Sequence, residues 1–224
     1  MKLYYHPAST SCRPPMLFAA EANIPLEYEL VDIFTGEQYK PAFESVNPNH
    51  LVPVLEDGDF RLTEASAILK YLADKIDSPQ YPKDLKERAR VNERMDWFNT
   101  QLNREFNYGF LYPQIFGFLK RSSPEVQDAT VQWGKERSQK WLKVMNDHIL
   151  GPGNNYVCGD RITIADYLGA AMLGVGEITG CKFSDYPNVC AWLGRMKALS
   201  SWSKVHEAIT GYAQSIKDQP MVTV

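Results

Sequence analysis

At 224 residues, with 44% hydrophobic and 23% charged side chains, the chain can bury one large core or two small ones sharing an interface, and its composition excludes a disordered segment. The formal net charge is −3 and no basic run stands out, which argues against a nucleic-acid partner. Cys12, Cys158, Cys181 and Cys190 show no CxxC spacing, the start MKLYYHPAST lacks a signal-peptide core, and no apolar run reaches about 18 residues, so no metal, disulfide framework or membrane span is expected and the chain reads as a soluble, cytoplasmic protein.

The predicted elements follow in order. Lys2–Tyr5 is a short strand, and residues 13–22 form a helix with Pro14 in its first turn, where the missing N–H costs nothing. Residues 27–31 alternate and are rich in β-formers, which makes a β-α-β unit within about 30 residues. Residues 53–56 and 60–62 flank the Asp57-Gly58 turn as a hairpin, and an amphipathic helix over 64–75 presents Ala65, Ile68, Leu69 and Leu72 on one face. The order β-α-β then β-β-α is that of a thioredoxin-like fold. A Pro-containing linker spans 76–85. Beyond it only helices are expected: 87–119, as one helix or two with a kink at Pro113; 124–149, capped by Ser123 and closed by Gly151-Pro152-Gly153; then 165–178, 188–199 and 202–215. Residues 220–224 read as a loose tail. The predicted fold is thus α/β plus all-α, with a thioredoxin-like domain over 1–77 and a helical domain over 86–215.

Three segments carry chemistry. The loop His6-Pro7-Ala8-Ser9-Thr10-Ser11-Cys12-Arg13 joins the first strand to the first helix, facing the positive end of the helix dipole and its free N–H groups. Such a place stabilises a thiolate. Lowering a thiol pKa by about two units from ~8.5 raises its ionised fraction at pH 7 from about 3% to roughly three quarters. A serine hydroxyl can donate the hydrogen bond that holds it ionised; Ser9 or Ser11 can equally serve only as a helix cap. Ser9-Thr10-Ser11-Cys12 also has the S-x-x-C form where a dithiol oxidoreductase carries C-x-x-C, so the chain cannot itself be the dithiol oxidant, and Cys12 reads as a small buried hydrophobe. The second segment is Asn47-Pro48-Asn49-His50-Leu51-Val52-Pro53, where a Val-Pro pair opens a strand; a cis bond there would leave the Val52 backbone free to pair with an extended peptide, although an ordinary strand entry fits as well. The third is Thr63-Glu64-Ala65-Ser66, a polar helix start that can bind a carboxylate or be a plain cap. Together, three such elements around one cleft suit a small acidic peptide bearing a thiol.

These segments, with VCGDRITIADY and YPKDLKERARVNERMDW further on, resemble the glutathione transferases of the theta type, which are related to the delta class and the bacterial dichloromethane dehalogenases. The likeness spans about the whole chain. It implies a detoxifying homodimer in which the thioredoxin-like domain binds glutathione and the helical domain holds a small electrophile. Ser9 matches the serine that activates the glutathione sulfur, Val52 and Pro53 the pair that holds its cysteinyl part, and Glu64 with Ala65 and Ser66 the segment for its γ-glutamyl end. Ser11 and Leu51 fall within the same segments, and His50 lies where delta-type enzymes place a glutathione contact. Two departures weaken the far contacts: Ala65 replaces the usual serine, and Gln38 stands where histidine is frequent, so the glycine carboxylate falls to Gln38, Lys40 or His50.

Thr163 with Asp166 reads as a folding device, an N-cap pair. Of Phe106, Tyr108, Phe110, Tyr112, Phe116 and Phe118 several lie two apart, so on a helix they cannot all share one face. Phe106, Tyr108, Tyr112 and Phe116 are the expected electrophile pocket. The expected activity is a glutathione S-transferase acting on hydrophobic electrophiles, alkyl halides among them. A dedicated dehalogenase, a non-catalytic protein of the same fold, and a thiol oxidoreductase using Cys12 are the rivals.

Overall fold

The computed structural model describes residues 1–151 and 153–224. Strand β1 (Lys2–Tyr5) is central, as its buried Leu3 requires. Helix α1 (Arg13–Glu21) carries the chain over to β2 (Glu27–Leu30), which pairs with β1 in parallel. A short helix α2 (Pro41–Glu44) precedes β3 (Val54–Asp57) and β4 (Phe60–Thr63), an antiparallel hairpin turning at Gly58, whose φ of +64° suits a glycine. The sheet order is β2-β1-β3-β4. Helix α3 (Ala65–Lys75) packs beside α1 and buries Ile68, Leu69, Leu72 and Ala73. The short helix α2 and a preceding 3-10 turn (Glu37–Tyr39) are absent from the expected elements; four-residue pieces carry no period to detect.

The helical part begins at α4 (Leu85–Trp97), where the Asp84 carboxylate accepts the N–H groups of Lys86 and Glu87. The helix runs on through a π-wound stretch (Phe98–Leu111) into α5 (Tyr112–Ile115). Pro113 does not divide it, because it lies in the first turn of α5; the chain turns out at Phe116 instead, and 117–119 form a separate turn. Helix α6 (Pro124–Val144), capped by Ser123, continues as a π-wound end (Met145–Ile149). The expected stop at 151–153 includes Pro152, which lies outside the described residues. Helix α7 (Ile164–Ile178), α8 (Pro187–Lys197) and α9 (Trp202–Ile216) complete the fold.

Helix α7 is buried on all sides from Ile164 to Gly176, as its almost wholly apolar sequence demands. Its glycines admit aromatic rings: a Cβ on Gly169 would meet the Phe98 ring at 2.2 Å, and one on Gly176 the Phe106 ring at 2.6 Å. One continuous core therefore joins Leu3, Phe18, Leu55 and Ile68 of the sheet domain to Phe98, Leu168 and Trp192 of the helices. The tail is docked, contrary to the sequence reading: the Gln114 amide donates to the Val222 carbonyl at 3.3 Å and accepts its N–H at 2.8 Å. Among the described residues no helix is long and apolar enough to cross a membrane.

Asp166 anchors the start of α7. Its fully buried carboxylate accepts the Thr163 N–H at 2.8 Å, the Thr163 hydroxyl at 3.0 Å, the Val157 N–H at 2.9 Å and the Trp192 indole N–H at 2.9 Å. Burial pushes this carboxyl up while the four donors pull it down. Removing it leaves several buried donors unpaired, each costing about 1–3 kcal/mol. Asp166→Ala is expected to lose about 3 kcal/mol or more in chemical denaturation and roughly 6–12 °C in melting temperature. Thr163→Ala, which deletes one cap contact, should lose only about 1 kcal/mol.

Candidate active site

The loop before α1 is folded on itself: the Ala8 N–H donates to His6 Nδ1 at 3.2 Å and the Ser9 N–H to the His6 carbonyl at 3.0 Å. The Ser9 hydroxyl accepts the Cys12 N–H at 3.4 Å, so the capping role is real. Ser9 is half-buried; Thr10 and Ser11, beside it, line a cleft between the two parts of the molecule. Cys12 is fully buried, and burial pushes its thiol up to about 11, against hydrogen bonds from Ser9 and the His6 backbone.

Arg13 is also fully buried. Its guanidinium donates to the Ser9 carbonyl at 3.4 Å, the Thr10 hydroxyl at 3.3 Å and the Ala171 carbonyl of α7 at 3.3 Å, tying the loop to the helical part. Burial lowers its pKa to about 10, so it stays charged at neutral pH.

The second wall is the segment before β3. The buried Asn47 organises it: its amide donates to the Leu51 carbonyl at 2.8 Å, and its oxygen accepts the N–H and side-chain amide of Asn49, both at 3.1 Å. His50, at φ +56°, donates Nδ1–H to the Gln38 carbonyl at 2.8 Å, since a carbonyl can only accept. The Val52-Pro53 bond is cis, and Leu51, Val52 and Pro53 all line the cleft. Gln38, Lys40 and His50 do not: Gln38 is buried with its amide on the Ile33 carbonyl at 3.3 Å, Lys40 is exposed, and His50 lies between the cleft-lining Asn49 and Leu51.

The third wall is the start of α3. Glu64 precedes it at φ +67°, ψ +115°, an uncommon backbone for a non-glycine residue, and no side chain caps the helix. Its first N–H groups are therefore open to an anion. Glu64, Ala65 and Ser66 line the cleft, and the Ser66 hydroxyl accepts the Asn99 amide at 3.3 Å from across it. Thus seven of the ten expected glutathione residues meet in one place.

The helical wall comprises Asn99, Asn103, Tyr108, Leu168 and Met172. The aromatic run splits as its spacing requires. Phe106 is a correction: it is fully buried, its ring 6.2 Å from Phe110 and 5.9 Å from Phe183, and it belongs to the core. Tyr108, Tyr112 and Phe116 form a contiguous row at 5.0 and 5.3 Å, extended by Tyr212 at 6.4 Å and, beyond that, by Phe34 at 6.0 Å. Of these Tyr108 lines the cleft, while Tyr112 is buried with its hydroxyl 2.9 Å from Thr10. Burial pushes the Tyr112 hydroxyl up to about 12.

Sequence reasoning missed Asn99, Asn103, Leu168 and Met172, and gave no role to Thr10, Asn47, Asn49 and Thr63 within the segments it singled out. The amides carried a signal: Asn99, Asn103 and Asn107 recur every fourth residue, and the Asn107 amide donates to Asn103 at 2.8 Å and to the Met172 carbonyl at 3.3 Å. Among the described residues no group of three or more His, Cys, Asp or Glu is placed to hold a metal ion. The arrangement can orient an extended polar ligand and hold an anionic atom near the start of α1. Cys12, sealed and protonated, cannot serve as an accessible nucleophile. Alkylation of the native protein with iodoacetamide at pH 8 should leave Cys12 unmodified by mass spectrometry until denaturant is added; labelling at the rate of a free thiol would contradict the burial.

Comparison with known proteins gives concordant results. The family profile "Glutathione S-transferase, N-terminal domain" matches residues 1–74, and "Glutathione S-transferase, C-terminal domain" matches residues 114–199. Glutathione S-transferase theta-3 of Mus musculus is 32% identical over 230 residues, 98% of this chain and 91% of that protein. Human glutathione transferase theta-2, solved in complex with glutathione and an unknown ligand, superposes with a TM-score of 0.86 at 30% identity, covering 99% of this chain and 92% of that one. A delta-class glutathione transferase of Nilaparvata lugens gives a TM-score of 0.80 at 30% identity, covering 96% and 98%.

Proposed function

The chain belongs to the glutathione S-transferase family, and on that premise we propose that it joins the glutathione thiolate to small hydrophobic electrophiles, with Ser9 donating the hydrogen bond that keeps the sulfur ionised. The observation that carries this reading is the position of Ser9: its hydroxyl accepts the Cys12 N–H at the start of α1, and its neighbours Thr10 and Ser11 line the cleft. A glutathione complex of human theta-2, a protein of closely similar fold, supports the choice of co-substrate.

An extended glutathione suits the three walls. The γ-glutamyl carboxylate faces the uncapped N–H groups at Ala65 and Ser66, and its ammonium faces Glu64. The cysteinyl part pairs with the Val52 backbone. The glycine carboxylate extends past Leu51 toward His50 and Lys40, since the Gln38 side chain is buried against the Ile33 carbonyl. The sulfur then lies near the start of α1, where the helix dipole and hydroxyl donors lower its pKa. The thiolate attacks the electrophilic carbon, a C–S bond forms, and the leaving group departs with the bonding electron pair, so no covalent enzyme intermediate is required. Tyr108, backed by the rings of Tyr112 and Phe116 behind it, supplies the apolar side for the electrophile. A homodimer in the cytoplasm, with a detoxifying role, is the setting that the family suggests.

Ser9→Ala removes a donor to the thiolate, so the bound thiol's pKa rises. The loss of kcat/KM with an aryl or alkyl halide is therefore greatest at low pH, about tenfold for each pH unit by which that pKa rises, and shrinks once the pH exceeds the new pKa. Full activity of Ser9→Ala from pH 6 to 8 would refute the role. Chloride release from dichloromethane measures whether alkyl halides are among the substrates.

A further inference from the structure

Thr10 is held in a way that the role given to Ser9 does not use. Its Oγ1 lies 3.3 Å from Arg13 Nη2 and 2.9 Å from the Tyr112 hydroxyl. A guanidinium can only donate, so it occupies one Thr10 lone pair. Of the two hydroxyls the phenol is the stronger donor and the poorer acceptor, because its lone pair is delocalised into the ring. It donates to Thr10 and fills the second lone pair. The Thr10 proton must then find an acceptor elsewhere, and Thr10 lines the cleft.

Both supporting groups are sealed from solvent: Arg13 has no exposure and Tyr112 has 9%. Arg13 reaches only oxygens of Ser9, Thr10 and Ala171, none of them a carboxylate, and its Nη1 is buried with no partner among the described residues. His206, close by, does not share the charge: burial, with Arg13 nearby, lowers its pKa to about 3, and its Nε2 is also unpartnered. The other titratable groups around the cluster, Cys12, Tyr108 and Tyr112, are all shifted upward and stay neutral; Glu64, the acid on the cleft wall, is exposed at its rim. Arg13 is thus a buried cation without a fixed counter-charge, a costly state unless an anion is brought to it.

Resting on the reading that the cleft binds glutathione, we propose that Thr10 is a second hydrogen-bond donor to the glutathione thiolate, and that the Arg13 charge reaches the sulfur through the Thr10 hydroxyl. Arg13 and Tyr112 are then positioning residues. The low local dielectric strengthens the chain of bonds Arg13–Thr10–sulfur. Ser9 and Thr10, neighbours in the loop, give the thiolate two hydroxyl donors, and only the Thr10 hydroxyl is polarised by a full charge.

The test is the thiol pKa of bound glutathione, read from thiolate absorbance against pH in wild type, Ser9→Ala, Thr10→Val and Thr10→Ser. Thr10→Val keeps the shape and removes the hydroxyl. It should raise the pKa by about one unit, a roughly tenfold loss of thiolate at pH well below it, while Thr10→Ser keeps the wild-type value. Binding of S-methylglutathione, which has no ionisable thiol, should be unchanged in Thr10→Val. An unchanged thiol pKa in Thr10→Val overturns the proposal, and so does loss of S-methylglutathione binding, which would make the hydroxyl a structural part of the loop. A rise in Ser9→Ala alone leaves Ser9 as the donor and refutes Thr10. A rise in Thr10→Val alone upholds Thr10 and refutes Ser9. A wild type that does not bind glutathione sinks both.

Discussion

Arg13 carries a full charge into the seam between the sheet domain and the helices, and the active-site loop is arranged around it. One face of its guanidinium holds the Ser9 carbonyl and the Thr10 hydroxyl, while Nη2 also reaches the Ala171 carbonyl in the middle of α7. The loop that faces the ligand is thereby referenced to the most deeply buried helix. A buried guanidinium is expensive to desolvate. Here the cost is offset by carbonyl and hydroxyl acceptors instead of a carboxylate, which leaves the charge available to a neighbour. The same residue thus ties the loop to α7 and brings a positive charge to it.

That arrangement depends on how α7 is packed against its neighbours. Asp166 fixes its first turn through four donors drawn from three separate segments. Gly169 and Gly176 let the rings of Phe98 and Phe106 lie against its backbone, so the π-wound helix that supplies the cleft's far wall packs directly on it. The Glu21 carboxylate at the end of α1 adds a second tie, accepting the Ser200 hydroxyl at 2.8 Å and the Ser201 N–H at 2.6 Å.

Much of this is legible in the chain, for reasons that differ by element. The strands and α3 declare themselves through period and turn chemistry, and the Thr163–Asp166 pair through capping spacing, because each is a local property. The Ser9 loop, the Val52-Pro53 entry and the Glu64 helix start can be named because they are backbone features tied to short motifs. What stays hidden depends on distant neighbours. Asn47 is polar yet buried because it bonds Leu51 and Asn49, and Asn99 crosses to Ser66; neither partner is visible in sequence. Phe106 and Tyr108 are both aromatic and two residues apart, and only the packing of α7 decides that one is core and the other faces the cleft. Gln38 reads as a ligand from its place in the loop, whereas its burial turns the side chain toward Ile33.

The contrast between Ser9 and Cys12 explains why the fold works on a borrowed nucleophile. A thiolate needs a donor-rich, partly open site near a helix start, and Ser9 occupies one. Cys12, three residues on, has turned into the helix and lies wholly inside, where burial outweighs the neighbouring hydrogen bonds and holds it as a thiol. The protein's own sulfur is thus sealed off, while the position that could activate a sulfur carries a hydroxyl. A hydroxyl there has no redox chemistry of its own, and its proton suits an incoming thiolate. The cleft wall contains no lysine or arginine among the described residues, so a thiolate placed as proposed would meet dipoles and hydroxyls, with Arg13 behind them. This favours ionisation without clamping the sulfur in a direct ion pair, a balance that a nucleophile needs if it is to leave its stabilising groups and attack.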